Sequence, residues 1–432
     1  MKIVWIDCAR GLVTFPQPMA HAHSQRWTPL LAWTLSLLLL VATQHIALGE
    51  SGFVRAQGSQ LVDGQGRVLM LRGTNLGNWL VQEGYMFRFD QGPQSTREIE
   101  ALTNELLGPA AARKFWREYW DRYVTRDDIQ FIRKAGFNSI RIPLHYKYFL
   151  ADDSEGFALL DRVVEWSREA GLYVVLDMHC APGGQTGTNI DDSWGYPWLY
   201  DSPEQQQLAS DTWKRIAQHY RDSKTVLGYD LLNEPIPQFP QLHRYNQDLE
   251  PLYRRIVTEI RQVDRNHVVI LGGAQWDTNF AVFGPPFDSN VLYNFHKYWM
   301  APVKDAVQPY LDFRERYHVP IWMSESGENT DEWIAQFVRL LEQNEIGWAF
   351  WPYKKMDATS SPVSFSRPVY WDEIVAFAKL AGGTGDAEKR VAQRPPQDHI
   401  TAAFSDLLNK IQLRNCKINA GYLKALGLGQ PM

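Results

Sequence analysis

The chain of 432 residues is 45% hydrophobic and 22% charged, which is ordinary for a soluble globular protein. Its formal net charge of −5 gives no electrostatic reason to bind a polyanion, so nucleic acids and anionic membrane surfaces are excluded as expected partners. The length allows two or three domains, but one α/β barrel with insertions would also account for most of it.

Residues 1–49 have the features of an export leader. Arg26 precedes an apolar run over residues 30–42, which has the length of a signal-peptide core and is short for a membrane span. Ala47 and Gly49 then provide small residues at the spacing that a signal peptidase accepts. We predict a cleaved leader, with translation starting at Met19, no stable membrane insertion, and a secreted or periplasmic protein. An uncleaved membrane anchor is the alternative.

The cysteines are too few for a fold held together by disulfides. Cys8 falls in the leader, which leaves Cys180 and Cys416 and at most one bridge. Cys180 follows His179 at the end of a predicted strand, where it would be either a nucleophile or a free buried thiol. The buried thiol is favoured.

Strand and helix patterns alternate along most of the chain. Residues 59–70 predict a β-hairpin, because an Asp-Gly turn is flanked by apolar residues. Eight strand-forming runs follow, separated by amphipathic helical patterns, at residues 69–75, 138–143, 173–179, 227–234, 268–272, 291–296, 321–325 and 347–351. This alternation predicts a (β/α)8 barrel over residues 50–381, with the hairpin closing its bottom. A doubly wound open sheet is the alternative, although no glycine-rich phosphate loop follows any strand.

Residues 382–432 have a different pattern. Glycines and a Pro395-Pro396 pair flank a charged stretch, which predicts a linker. Apolar residues then recur at helical spacing, at Ile400, Phe404, Leu407, Leu408 and Ile411. We expect a short helical extension packed on the barrel rather than a second domain.

Polar side chains stand at the ends of several predicted strands. Glu234 ends the fourth strand and Glu325 ends the seventh, each after a run of apolar residues. Because active sites of α/β barrels lie at the carboxyl ends of the strands, we expect the two carboxylates to face one cleft. Other polar and aromatic residues at this level are Arg141, His179, Asn233, His296, Tyr298, Trp348 and Trp351. Each alone is more often structural, but their joint occurrence on one barrel favours a site.

From about Leu61 to about Trp371 the chain resembles glycoside hydrolase family 5, the cellulase family of (β/α)8 barrels, because the polar positions occur in the family's order. The resemblance implies that Glu234, in Asn-Glu-Pro, is the acid/base and that Glu325, in Ser-Glu-Ser-Gly-Glu, is the nucleophile. It also implies supporting roles for Arg141, His179, Asn233, His296, Tyr298 and Trp351. Trp351 is preferred to Trp348 because it lies at the exit of its strand, before a proline.

A finer resemblance is to the branch of exo-acting β-1,3-glucanases and β-glucosidases, through the motif Asn-Trp-Leu-Val-Gln-Glu at residues 78–83. It implies that Glu83 binds hydroxyls of a terminal glucose. The segment at residues 179–185 is also similar, but carries Cys180 where a glycine is usual. Asp191 and Asp192 match sugar-binding residues, although the longer loop around them leaves linkage preference open.

The chemistry of the two carboxyl groups is consistent with these roles. Retaining hydrolysis of a glycosidic bond uses one carboxylate to attack carbon and one carboxyl group to handle a proton. Arg141 and Tyr298 would keep Glu325 ionised, whereas burial and the charge of Glu325 would raise the pKa of Glu234. Asn233 could bind the sugar 2-hydroxyl. No metal is required, and the histidines are not spaced like a zinc pair on one helix.

Tryptophan is unusually frequent, with 17 residues, and exposed rings can stack on the apolar faces of sugars. Candidate platforms near strand ends are Trp194, Trp198, Trp276 and Trp299, with loop packing as the alternative for each. Trp213 and Trp333 lie on helical patterns and are expected in the core.

We therefore expect a secreted retaining β-glycosidase that hydrolyses β-glucans or β-glucosides, with β-linked oligosaccharides or polysaccharides as substrates and no cofactor. Two alternatives remain, a transglycosylase on the same scaffold and a non-catalytic carbohydrate-binding barrel. The linkage cleaved, exo or endo action and the nature of the leaving group stay open.

Overall fold

The computed structural model describes residues 52–380 and 387–429. The predicted leader, residues 1–49, lies outside the described residues, as do residues 381–386 at the start of the predicted linker. Within the described ranges, no helix is long and apolar enough to cross a membrane.

The described chain begins with a hairpin. Strands β1 (Gly52–Gln57) and β2 (Gln60–Gly64) pair antiparallel around a tight turn. The predicted Asp-Gly turn follows directly, where Val62 forms an antiparallel bridge to Val68. The hairpin prediction is therefore confirmed, with an additional strand on its amino-terminal side.

Eight parallel strands close into a barrel, as the sequence predicts. These strands, β3 to β10, are Arg72–Asn75, Ser139–His145, Tyr173–Cys180, Val226–Asp230, Val268–Gly272, Val291–His296, Ile321–Glu325 and Gly347–Phe350. Most are buried along their whole length, because helices cover the outer face and packed side chains fill the inside. The fourth was expected to reach Glu234 but ends at Asp230, so Glu234 lies in the loop that follows.

Helices cover the outside of the barrel between most strands. They span Thr96–Leu107, Pro109–Tyr123 and Arg126–Ala135 after β3, Glu155–Ala170 after β4, Trp198–Asp201 and Pro203–Tyr220 after β5, Asn246–Val263 after β6, Gln308–Tyr317 after β8, Asp331–Gln343 after β9 and Trp371–Ala378 after β10. The connection from β7 to β8 differs from the prediction, because residues 273–290 form only short helical turns. This segment carries Trp276 and Asp277 to the mouth of the barrel.

The barrel is filled by an apolar cluster on the inner faces of its strands. Val175, Leu227 and Trp322 belong to this cluster, and Val54 and Leu61 of the hairpin pack against it. Because the strand residues in contact with the hairpin lie near the amino-terminal ends of their strands, the hairpin closes the bottom of the barrel. The opposite, carboxyl-terminal end is left open for a site.

The helical extension packs on the helices that surround the barrel. Its helices are Ala387–Ala392, Gln397–Lys410 and Ala420–Ala425. Phe404 is buried, with its ring 5.0 Å from that of Phe115 and 5.7 Å from that of Trp371. A small sheet of β11 (Lys354–Met356), β12 (Val363–Phe365) and β13 (Lys417–Ile418) also joins the extension to the segment that leaves β10.

Replacing Phe404 with Ala should destabilise the protein by about 3 kcal/mol, because it removes a buried aromatic ring from this contact. The free energy of unfolding in urea measures the effect. Val391→Ala is the matched control, since Val391 is 75% exposed on the same extension and should change stability by less than about 0.5 kcal/mol. Equal losses in the two variants would contradict the docking of the extension.

Candidate active site

Arg141, in the middle of β4, is fully buried below the mouth of the barrel. Its Nε donates to Asp230 Oδ2 at 2.8 Å, Nη2 lies 3.0 Å from Asp177 Oδ1, and Nη1 lies 3.0 Å from Glu325 Oε2. Burial acts to lower the pKa of Arg141, but these carboxylates hold it above its ordinary value. Arg141 is therefore a fixed cation under the cleft.

Two asparagines complete the contacts of this guanidinium. Nη1 of Arg141 donates to Asn75 Oδ1 at 3.1 Å, and Nη2 donates to Asn233 Oδ1 at 2.8 Å. Because only the amide oxygen can accept these bonds, the orientation of Asn233 is fixed with its Nδ2 group on the other side, 3.4 Å from His179 Nε2. Asn233 therefore presents a donor group at the level of the catalytic candidates.

Glu325 ends β9 and is held by donors at both carboxylate oxygens. Oε2 accepts from Arg141, and Oε1 accepts from the Tyr298 hydroxyl at 2.9 Å. Burial raises the pKa of Glu325, while the Arg141 guanidinium acts to lower it. Of the two glutamates, Glu325 is the one in direct contact with a cation, so we take it as the ionised member of the pair.

Glu234 lies in the loop after β6, with its backbone in the left-handed region at φ 48°. Its backbone N–H donates to Asp277 Oδ2 at 3.0 Å, and its Oε1 lies 2.9 Å from His296 Nδ1. Burial raises the pKa of Glu234 to about 7. Burial also lowers the pKa of His296 to about 3, so Glu234 faces a neutral imidazole instead of a cation.

The two carboxyl groups face each other across a short gap. One oxygen of Glu234, one oxygen of Glu325 and one ring nitrogen of His296 lie within 4.8 Å of one another. Such a group meets the spacing of a cation site, but both oxygens of Glu325 are already engaged, and the buried Arg141 would repel a second cation. The donor set therefore favours proton chemistry over metal binding.

A cleft of about 750 Å³ opens above this pair. Trp351 and His179 form one wall, with nearly parallel rings 5.7 Å apart. His179 Nδ1 lies 2.8 Å from Asp177 Oδ2, and burial lowers the pKa of His179 to about 4. Trp348 is instead buried in the core, so the placement matches the preference for Trp351. The wall consists of a neutral imidazole and an indole.

Glu83 lines the same cleft beside Tyr85. Burial raises the pKa of Glu83 well above its ordinary value, and the charges of Glu325 and Glu328 add to the effect. Among the described residues, no hydrogen-bond donor contacts the Glu83 carboxylate. A buried carboxylate without a protein partner is a ready acceptor for ligand hydroxyl groups.

Asp191 and Asp192 do not line the cleft, in contrast to the expectation that they bind sugar. Asp191 is buried and accepts from the backbone N–H groups of Gln185 and Thr186, and from Ser193. Asp192 accepts from the backbone of Arg97 at 2.9 Å and lies 3.2 Å from His145 Nε2. The Asp191 carboxylate is occupied within the loop of residues 181–197, and the Asp192 carboxylate joins this loop to Arg97 and His145.

This loop instead presents Asn189 and Ile190 to the cleft. Cys180 is buried beneath it, with Sγ 3.8 Å from the carbonyl oxygen of Ile190. Burial raises the pKa of the Cys180 thiol well above its ordinary value, which agrees with a free buried thiol and not with a nucleophile.

The candidate aromatic platforms fall into two groups. Trp276 and Trp299 line the cleft. Trp194 instead stacks on Arg97, whose Cζ lies 3.6 Å from the ring centroid, and Trp198 contacts Tyr196. The expected core tryptophans are confirmed in part, because Trp213 is fully buried and Trp333 is only partly buried.

The sequence patterns did not identify several residues of the site. Asp177 and Asp230 could have been, because a charge inside an apolar strand signals a buried partner. Asp277, Tyr85 and Glu328 lie in loops, where polar residues are common and carry no such signal. Ser324 was also missed, and its Oγ lies 2.9 Å from His296 Nε2.

Comparison with known proteins agrees with this geometry. Residues 103–357, more than half of the chain, match the family model described as cellulase, glycosyl hydrolase family 5. A beta-xylosidase from Phanerodontia chrysosporium is 27% identical over 351 residues, which cover 70% of this chain and 71% of that protein. Endoglucanase C from Acetivibrio thermocellus is 26% identical over 314 residues, which cover 56% of this chain and 88% of that protein.

Among solved structures, an endogalactoceramidase shares the fold with a TM-score of 0.56 at 18% identity, over 87% of this chain and 84% of that one. The barrel, the carboxylate pair at its mouth and the family match agree with one another. The chain is therefore a glycoside hydrolase and belongs to family 5, the cellulase family.

Proposed function

We propose that this enzyme is a secreted, retaining β-glycosidase that cleaves β-glucans or β-glucosides, with Glu325 as the nucleophile and Glu234 as the acid/base. The observation that carries the proposal is the short gap between the two carboxyl groups, whose nearest oxygens lie within 4.8 Å. Retaining enzymes need about 5–5.5 Å between the carboxyl groups, whereas inverting enzymes leave about 6.5–9.5 Å for a water molecule.

The surroundings of each glutamate support its role. A nucleophile must be ionised, and Glu325 contacts Arg141 at 3.0 Å and receives the Tyr298 hydroxyl bond. A general acid must start protonated near neutral pH, and burial raises the pKa of Glu234 to about 7. A pure carbohydrate-binding barrel would need neither arrangement.

In the first step, a carboxylate oxygen of Glu325 forms a bond to the anomeric carbon. The bond from that carbon to the glycosidic oxygen breaks, and Glu234 gives its proton to the departing oxygen. The Nδ2 group of Asn233, turned away from Arg141, is available to donate to the sugar 2-hydroxyl.

In the second step, a water molecule attacks the same carbon and releases Glu325. Esterification has removed the negative charge of Glu325, so the pKa of Glu234 falls and its carboxylate can take a proton from this water. Attack from opposite faces in the two steps leaves the product with the β configuration of the substrate.

The rest of the cleft suits a neutral sugar. Glu83 offers a carboxylate for hydroxyl groups, and Trp351 offers an aromatic face. Trp276 and Trp299 also line the cleft and offer further aromatic faces, which would suit the leaving group. Glucose is the favoured sugar, because relatives that match the chain include endoglucanases and probable glucan 1,3-beta-glucosidases. The leader pattern at residues 1–49 supports export.

Azide tests the two roles separately. Glu325→Ala should abolish turnover of an aryl β-glucoside, and added azide should then yield an α-glucosyl azide, since azide replaces the nucleophile in one displacement. Glu234→Ala should slow unactivated glycosides by about 10²–10⁴-fold and yield a β-glucosyl azide. Proton NMR of the anomeric signal distinguishes the products. The exposed Glu332→Ala is the matched control and should retain activity. The opposite azide configurations would reverse the assignment.

The pH profile tests the protonation state of Glu234. Its carboxyl group acts only when protonated, so kcat/KM should fall about tenfold per pH unit above pH 7. The loss should occur as pH rises, because the pKa of Glu234 is raised. A dinitrophenyl glucoside, whose leaving group needs no proton, is the control and should lose this alkaline limb. An alkaline limb that is equal for both substrates would contradict the assignment.

A further inference from the structure

An ion pair that the mechanism does not use lies beside the Glu83 end of the cleft. Lys355, in β11, pairs with Glu328, and the two side chains are only 13% and 17% exposed. The Lys355 ammonium nitrogen also lies 4.3 Å from the ring centroid of Tyr85. At this distance a partly desolvated cation is attracted to the face of the ring. Lys355 therefore contacts two residues that line the cleft.

Tyr85 connects this cation to the aromatic wall. The indole Nε1 of Trp351 donates to the Tyr85 hydroxyl at 2.7 Å. The Trp351 ring is packed closely against Gly77: a Cβ atom added to Gly77 would lie 2.4 Å from Cη2 of Trp351. Gly77 limits the position of the Trp351 ring on one side. The hydrogen bond to the Tyr85 hydroxyl is the polar contact that orients the indole. A displacement of Tyr85 would therefore be transmitted to Trp351.

The backbone around Glu328 is arranged to place its carboxylate in the cleft. Glu328 has φ 51°, a left-handed conformation that is costly for a residue with a side chain. Gly327 before it has φ 140°, and a Cβ at Gly327 would lie 2.4 Å from the carbonyl oxygen of Trp351. Conformations of this kind persist only where the surrounding contacts enforce them, which they do here at the cleft.

The charges at this end of the cleft are unequal. The carboxylates of Glu325 and Glu328 both act on Glu83, and Lys355 is the cation that opposes them there. Arg141 is already engaged with Glu325 and with two aspartates beneath it. Lys355 is therefore the group that compensates Glu328.

We propose that Lys355 and Glu328 form a specificity-determining pair for the sugar beside the scissile bond. Lys355 holds Tyr85, and through it Trp351, against that sugar, and it neutralises Glu328 so that the pocket prefers an uncharged sugar to a cationic one. The proposal rests on the proposed function, because it names the class of sugar that the same cleft accepts. Lys355 is a positioning residue that acts through Tyr85 and through charge.

Two readouts test the proposal, the KM for an aryl β-glucoside and the ratio of inhibition constants for neutral glucose and a cationic glucose-shaped iminosugar. Lys355→Met should raise KM about tenfold, with a smaller change in kcat. The same variant should bind the iminosugar about tenfold more tightly relative to glucose, because the positive charge of Lys355, which repels the cationic iminosugar, has been removed. Lys355→Arg should retain both wild-type values. Lys417→Met, on the exposed strand β13, is the matched control and should change neither.

The double variant Lys355→Met/Glu328→Gln separates the two effects. Its inhibition ratio should return toward the wild-type value, since charge balance is restored, while KM stays raised because Tyr85 still lacks its cation. An unchanged ratio and KM in Lys355→Met would overturn the proposal, as would a loss of thermal stability without any change in either readout. Absence of turnover in the wild type would instead overturn the proposed function. In that case, binding of the iminosugar and of glucose, measured by tryptophan fluorescence, would still test the roles of Lys355 and Glu328.

Discussion

The buried guanidinium of Arg141 is the interaction on which the rest of the site depends. Breaking a buried ion pair leaves an uncompensated charge and costs about 3–5 kcal/mol, so such a group persists only when its partners are all in place. The three carboxylate partners of Arg141 come from β5, β6 and β9, and Arg141 itself lies on β4. Only a closed barrel brings these strands around one point. Closure of the barrel therefore brings the buried charges of the site together.

Arg141 also makes the environments of Glu234 and Glu325 different, although the two glutamates differ little in sequence context. Burial raises the pKa of both, but only Glu325 touches Arg141. Glu234 faces His296, whose pKa is lowered to about 3 and which therefore brings no positive charge. Burial alone would give two similar acids. Contact with one cation favours the charged form of Glu325 and leaves Glu234 without an equivalent partner.

The sequence predicts the parts of this arrangement that depend on strands. Apolar runs identify all eight barrel strands, and residues at their ends, such as Glu325 and His179, reach the cleft because strand direction fixes where they emerge. Loop residues are different. Asp191 and Asp192 match a sugar-binding pattern, yet the Asp191 carboxylate accepts from backbone N–H groups of its own loop and the Asp192 carboxylate accepts from the backbone of Arg97. The tertiary fold determines the hydrogen-bond partner of a carboxylate in a loop. Periodic patterns in the sequence do not predict that partner.

The loop after β7 illustrates how tertiary contacts position loop residues at the site. Gln275, Trp276 and Asp277 all have positive φ values, and so does Glu234. Each such conformation costs on the order of 1 kcal/mol for a residue with a side chain. The backbone of Glu234 is tied to the Asp277 carboxylate, while Trp276 extends into the cleft. Two strained segments thus stabilise each other through one hydrogen bond. The position of Glu234 and the position of the Trp276 ring in the cleft are consequently linked through this hydrogen bond.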